Sequence, residues 1–111
     1  MVILNNDMTL KTAADGFAAL GSGPRLQVVL VLVRAGNAGL SVGDIQSRTD
    51  LAASTLAHHL RALVQAGLIK QQKSGRSVVN YAAFEHLEAL AGYILKECCR
   101  DETCDSGEPY D

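Results

Sequence analysis

The sequence predicts a mostly α-helical domain carrying one β-hairpin, and three observations predict it. Two short helix-forming segments, about residues 41–48 and 53–65, are separated by only a tight connection. Two β-prone runs follow at once, on either side of Ser74-Gly75-Arg76. Apolar residues at helical spacing stand before and after this block, around residues 8–35 and 84–95. The hydrophobic period thus switches from 3.6 to 2 and back along the chain.

A first helix is expected from about Met8 to Leu20, with Leu10, Ala13, Ala14, Phe17 and Leu20 on one side. Gly21-Ser22-Gly23-Pro24 breaks it; Ser22 can cap a new helix, and Pro24 suits a first turn that needs no N–H. This second helix, to about Ala35, is apolar almost all round and is expected at the buried centre. Gly36-Asn37-Ala38-Gly39 ends it. Ser41, with Asp44 three residues on, opens a short helix to about Arg48. Thr49-Asp50-Leu51 leads to a helix from about Ala53 to Gln65, where Leu56, Leu60, Leu63 and Val64 form the inward face and Gly67 gives the stop. Leu68–Lys73 and Ser77–Tyr81 then read as a hairpin with a basic tip. A last helix starts near Phe84, with Leu87, Leu90, Ala91, Ile94 and Leu95 as its apolar stripe. Helix, helix, helix-turn-helix, hairpin, helix is the order of a winged helix-turn-helix.

Of the 111 residues, 48% are apolar, enough for one small core of a size that gains stability by pairing. A homodimer is therefore expected. Residues 1–100 are assigned to one folded, pairing domain, and 101–111 to an acidic tail carrying Cys104. Val2-Ile3-Leu4 is too short for a signal-peptide core and no stretch reaches transmembrane length, so a cytoplasmic protein with reduced thiols is expected.

The net charge of −2 speaks against nucleic acid until its distribution is read. Five of the twelve acids lie in residues 101–111, which hold no Lys or Arg; the seven left face ten bases, so residues 1–100 carry +3. Between Arg25 and Arg76 stand Arg34, Arg48, Arg61, Lys70 and Lys73, with only Asp44 and Asp50 against them. A basic centre can meet a phosphate backbone despite the total, although a solvated mixed surface gives the same count.

The run Leu51-Ala52-Ala53-Ser54-Thr55-Leu56-Ala57-His58-His59-Leu60-Arg61-Ala62-Leu63, continued by Val64-Gln65-Ala66-Gly67-Leu68-Ile69, closely resembles the signature of the ArsR/SmtB repressors. The resemblance covers roughly residues 20–97. It implies a homodimer joined through its first and last helices, and a repressor that leaves operator DNA when a metal or metalloid binds. Two of that family's metal sites are missing. Where it has a Cys-Val-Cys-Asp-Leu arsenic site, this chain reads Ser41-Val42-Gly43-Asp44-Ile45, without thiols. Of its zinc site on the last helix only His86 survives, with Phe84, Glu97 and Arg100 in the other places, and one ligand of four does not hold zinc. Ala52 and Ala53 also replace the polar residues that commonly open its recognition helix.

With the leucines turned inward, Ser54, Thr55, His58 and Arg61 are the outward candidates for contact with double-stranded DNA, the first three at bases or phosphates and Arg61 at phosphate. Arg76 at the hairpin tip suits a minor-groove or phosphate contact, or is a solvated turn residue. His59, beside Leu60 and Leu63, is expected to be structural and hydrogen-bonded within the domain.

Cys98, Cys99 and Cys104 fall within seven residues. Trivalent arsenic is soft and three-coordinate, and three thiolates match its charge and its number of bonds. On a continuous helix Cys98 and Cys104 would lie about 9 Å apart along the axis. The helix must therefore turn after Cys99 to bring Cys104 back. Arsenite as inducer, held by Cys98, Cys99 and Cys104, is the expectation. A two-thiol site for methylated trivalent arsenic, a redox or soft-metal sensor, and an incidental thiol tail stay open. A metal-sequestering protein would use the thiols but not Ser54–Arg61. An enzyme is not expected, since His58, His59 and His86 have no nucleophile, phosphate loop or paired carboxylates at catalytic spacing.

Overall fold

The computed structural model describes residues 8–102. Helix α1 (Leu10–Leu20) starts where Thr9 Oγ1 accepts the Thr12 N–H at 3.1 Å, and α2 (Gly23–Ala35) where Ser22 Oγ accepts the Arg25 N–H at 3.4 Å. Arg25 Nε closes the corner between them by donating to the Ala19 carbonyl at 2.7 Å. After a 3-10 turn at 36–38 come β1 (Leu40–Ser41), α3 (Val42–Thr49), α4 (Ala53–Gln65), β2 (Ile69–Ser74), β3 (Ser77–Ala82) and α5 (Phe84–Leu95). This is a winged helix-turn-helix: α3 and α4 are the helix pair, and β2 and β3 the wing.

The sheet has the order β1-β3-β2, antiparallel throughout, with Leu40 opposite Asn80 and Ser74 opposite Ser77. Gly39 makes the β1 edge possible. Its φ of +69° is left-handed, and a Cβ there would stand 2.7 Å from the Asn80 carbonyl oxygen. Val28, Leu32, Ile45, Leu56, Leu63, Leu68 and Leu90 are fully enclosed at the centre. Burying each such side chain contributes about 1.5–3 kcal/mol. Gly16 of α1 lets α5 approach, since a Cβ on it would meet Leu90 Cδ1 at 2.9 Å.

Several expectations change. The wing has a third strand, β1, which two residues are too few to announce by alternation. The hairpin turn is two residues, Gly75-Arg76, with Ser74 and Ser77 already paired; Gly75 takes φ +65°, as a first central turn position favours. Helix α2 is not buried all round: Val28, Val29, Val31 and Leu32 are, but Leu26, Leu30 and Val33 face outward. On α1 the buried residues are Ala13 and Gly16, while Leu10, Ala14 and Phe17 are exposed. Helix α5 stops at Leu95, before the cysteines, and Cys104 lies outside the described residues. Among the described residues no single helix is long and apolar enough to cross a membrane.

Candidate nucleic-acid interface and thiol site

The helix-turn-helix is set by a small hydrogen-bonded knot. Thr49 Oγ1 donates to the Ile45 carbonyl at 2.8 Å and accepts the Leu51 N–H at 3.4 Å; Gln46 Nε2 donates to the Leu51 carbonyl at 3.3 Å. Asp50 takes the left-handed conformation, φ +61°, which lets the chain reverse within a few residues. The knot fixes α4 against α3, with Leu56, Leu60 and Leu63 inward. Ser54, Thr55, His58 and Arg61 are all exposed on the other face. Ala52 caps α4 with no side-chain hydrogen bond, so its first amide N–H groups take no side-chain cap.

His59 departs from expectation. Its Nδ1 is buried without a hydrogen-bond partner among the described residues, and its ring lies 5.8 Å from that of His58. Burial first, then the positive charges of Arg25 and His58, hold its pKa below the ordinary value of 6.5.

The wing carries Lys70 and Lys73 along β2 and Arg76 at its tip, all exposed. Among the described residues the ion pairs are Lys11–Asp15, Lys96–Glu97 and Arg100–Glu97. Arg61, Lys70, Lys73 and Arg76 belong to none of them, so their charge is available to an external anion.

Beyond α5 the chain continues as turns, with the Cys98 N–H on the Leu95 carbonyl at 3.0 Å and the Glu102 N–H on the Cys99 carbonyl at 3.2 Å. Cys99 adopts φ +60°. Side chains one apart on a helix point away from each other; here the helix has ended, and Cys98 Sγ and Cys99 Sγ stand 3.4 Å apart. A soft centre about 2.3 Å from each sulfur, with bond angles between square and tetrahedral, needs its sulfurs roughly 3.3–3.8 Å apart. The pair fits two ligand positions as it stands. Lys96 and Arg100, which flank the thiols in sequence, are both drawn to Glu97, at 3.9 and 3.4 Å, and Lys96 also lies 4.6 Å over the Tyr93 ring.

A helix-turn-helix domain family matches residues 20–72, from the end of α1 into β2. The cadmium resistance transcriptional regulatory protein CadC homolog of Staphylococcus aureus is 32% identical over 77 residues, 69% of this chain and 62% of that protein. The transcriptional activator HlyU of Vibrio cholerae is 28% identical over 82 residues, 74% of this chain and 73% of its own length. Among solved structures, an ArsR-like transcriptional regulator from Rhodococcus sp. RHA1 superposes with a TM-score of 0.68 at 29% identity, over 78% of each chain. The chain spans about six-tenths of the cadmium-resistance regulator's length. The family match runs through the helix pair and ends within β2, the first strand of the wing hairpin. In sequence and fold the chain is similar to ArsR-like transcriptional regulators.

Ser41–Ile45, which stands where the resemblance to the ArsR/SmtB repressors would place a thiol site, does structural work. Ser41 Oγ accepts the Asp44 N–H at 3.1 Å to start α3, and Ile45 is fully buried. His86 Nε2 is buried without a partner beside Gly67, and no three His, Cys, Asp or Glu side chains gather around a common point among the described residues. Sequence reasoning missed Asn80. It is the fully enclosed polar residue of the wing: its Nδ2 donates to the Leu40 carbonyl at 3.1 Å and its Oδ1 accepts from Gln71 Nε2 at 2.9 Å. Asn80 thereby ties β1, β2 and β3 together. An asparagine amid Val78, Val79 and Tyr81 was the available signal.

Proposed function

We propose that this chain is a homodimeric transcriptional repressor that binds operator DNA through α4 and the wing and releases it when trivalent arsenic binds Cys98, Cys99 and Cys104. The observation that carries the sensing half is the 3.4 Å contact of the two adjacent thiols. Arsenite would form one bond to each of three thiolates, the third supplied by Cys104. The DNA half rests on the exposed row Ser54, Thr55, His58 and Arg61, on Arg76 at the wing tip, and on cations without carboxylate partners among the described residues. The relatives described as transcriptional regulators support it.

The thiols follow directly on α5, whose end carries the exposed Ile94 and Leu95. Drawing three thiolates onto one atom reorganises that end. A change there alters the separation of two α4 helices that must enter successive major grooves, about 34 Å apart. A coupling of about 1–3 kcal/mol is enough for roughly 5–150-fold release.

A second reading has its own support: the pair alone already has chelating geometry, which suits methylated trivalent arsenic with two open bonds. Gel shifts with the gene's upstream DNA and single Cys→Ser variants separate the two. Under the arsenite reading, Cys104→Ser binds DNA normally and loses arsenite release. Under the second, Cys104→Ser is silent and Cys98→Ser and Cys99→Ser lose release. Normal arsenite release by all three variants sinks both. Cadmium belongs in the same titration, given the relative's role in cadmium resistance.

A further inference from the structure

We infer that Cys98 and Cys99 are also a redox-modification site, closing to a reversible disulfide between neighbouring residues when a peroxide reaches them. The inference uses the thiols of the arsenic reading but stands without it, because it rests on their placement alone. The two sulfurs are 3.4 Å apart, Cys98 is exposed, and Cys99 is half-buried behind it. Their meeting needs both the end of α5 at Leu95 and the left-handed Cys99, φ +60°.

The chemistry divides between the two. The exposed Cys98 sulfur, as thiolate, attacks one peroxide oxygen; an S–O bond forms, the O–O bond breaks, and hydroxide leaves to be protonated to water. The Cys99 sulfur then attacks the sulfenic sulfur. The S–S bond forms, the S–O bond breaks, and the departing hydroxide takes the Cys99 proton as a second water. Two thiols lose two electrons, and the peroxide gains them.

Reversibility follows from geometry. Neighbouring Cα atoms across a trans peptide are about 3.8 Å apart, whereas disulfides ordinarily span about 4.4–6.8 Å. The ring is therefore strained, and strained, exposed disulfides are the easily reduced, regulatory kind. The surrounding turns, held by single exposed hydrogen bonds such as Arg100 N–H to the Glu97 carbonyl at 3.3 Å, can yield to closure. Closure withdraws both thiolates from any soft centre.

The experiment uses the full-length Cys104→Ser chain, which removes the third thiol, with neither DNA nor arsenic present. After reduction and then hydrogen peroxide, intact mass should fall by two hydrogens and both alkylatable thiols should disappear; dithiothreitol should restore both. The further change Cys99→Ser should stop at a sulfenic acid on Cys98 that dimedone traps. Gain of oxygen without loss of hydrogen in the Cys104→Ser chain overturns the inference, as does cross-linking of two chains in its place. Failure of arsenite to release DNA would leave these readouts untouched.

Discussion

Arg61 and Arg76 sit on different elements, one on the α4 face and one at the wing tip, and both are exposed without a carboxylate partner among the described residues. If both meet phosphates, each releases a counterion on binding, and Arg61→Ala and Arg76→Ala should each lower the salt-dependence slope of DNA binding by about one. Fluorescence anisotropy across a salt series measures this; an unchanged slope removes that arginine from the interface. His59 makes a different prediction. Its folded pKa lies below the ordinary 6.5, through burial and then the charges of Arg25 and His58. Between the two values the unfolded chain binds more protons, so stability is fully present above the unfolded pKa and is lost as pH falls through that window. The urea midpoint should therefore drop as the pH falls through the ordinary histidine pKa of about 6.5, and His59→Gln should flatten the drop. A midpoint equally pH-dependent in the variant would assign the effect to other groups.

At the scale of elements, the sequence carried what local chemistry encodes. Helix α4 runs over the expected Ala53–Gln65, because Leu56, Leu60 and Leu63 have no other common face and Gly67 can take φ +78°. The Ser22 and Ser41 caps were legible for the same reason: a hydroxyl in front of a helix has few better partners than its first amides. What was not legible depends on contacts distant in sequence. Strand β1 exists because Leu40 finds Asn80, forty residues on. Helix α5 ends at Leu95 although its apolar spacing gave no stop there, and the meeting of Cys98 with Cys99 depends on that end. Asn80 is the place to test the wing. Asn80→Ala leaves the buried Leu40 carbonyl and Gln71 without their side-chain partner, which should cost about 1–3 kcal/mol. Urea unfolding reads the loss, and hydrogen exchange should rise first in β1 and β3. A loss under about 0.5 kcal/mol would make the Asn80 bonds incidental.

At the scale of the whole molecule, the exposed apolar side chains decide what the chain does with its outer helices. Leu10 is 73% exposed on α1, and Ile94 and Leu95 are each 58% exposed at the end of α5. Helices α1 and α5 pack against each other through Gly16 and Leu90, so these side chains extend from one shared bundle. Large apolar side chains left open on adjoining helices are what a monomer avoids and what an isologous interface between two copies covers. The stripe on α5 divides accordingly. Leu90 is 2% exposed and belongs to the chain's own core, so Leu90→Glu would unfold the domain and say nothing about pairing. Ile94→Glu places a carboxylate on a side chain that the single chain leaves in water, and should leave the fold intact while breaking the dimer. Burying an unpaired charge twice in a two-fold interface costs several kcal/mol, about a hundredfold or more in the dimer dissociation constant. Sedimentation at micromolar concentration should give a dimer for the unaltered chain and a folded monomer, by circular dichroism, for Ile94→Glu. That monomer should also lose operator binding, since one α4 alone cannot span two half-sites. A dimer that survives Ile94→Glu and Leu95→Glu together would place the interface elsewhere, on the open face of α2 formed by Leu26, Leu30 and Val33.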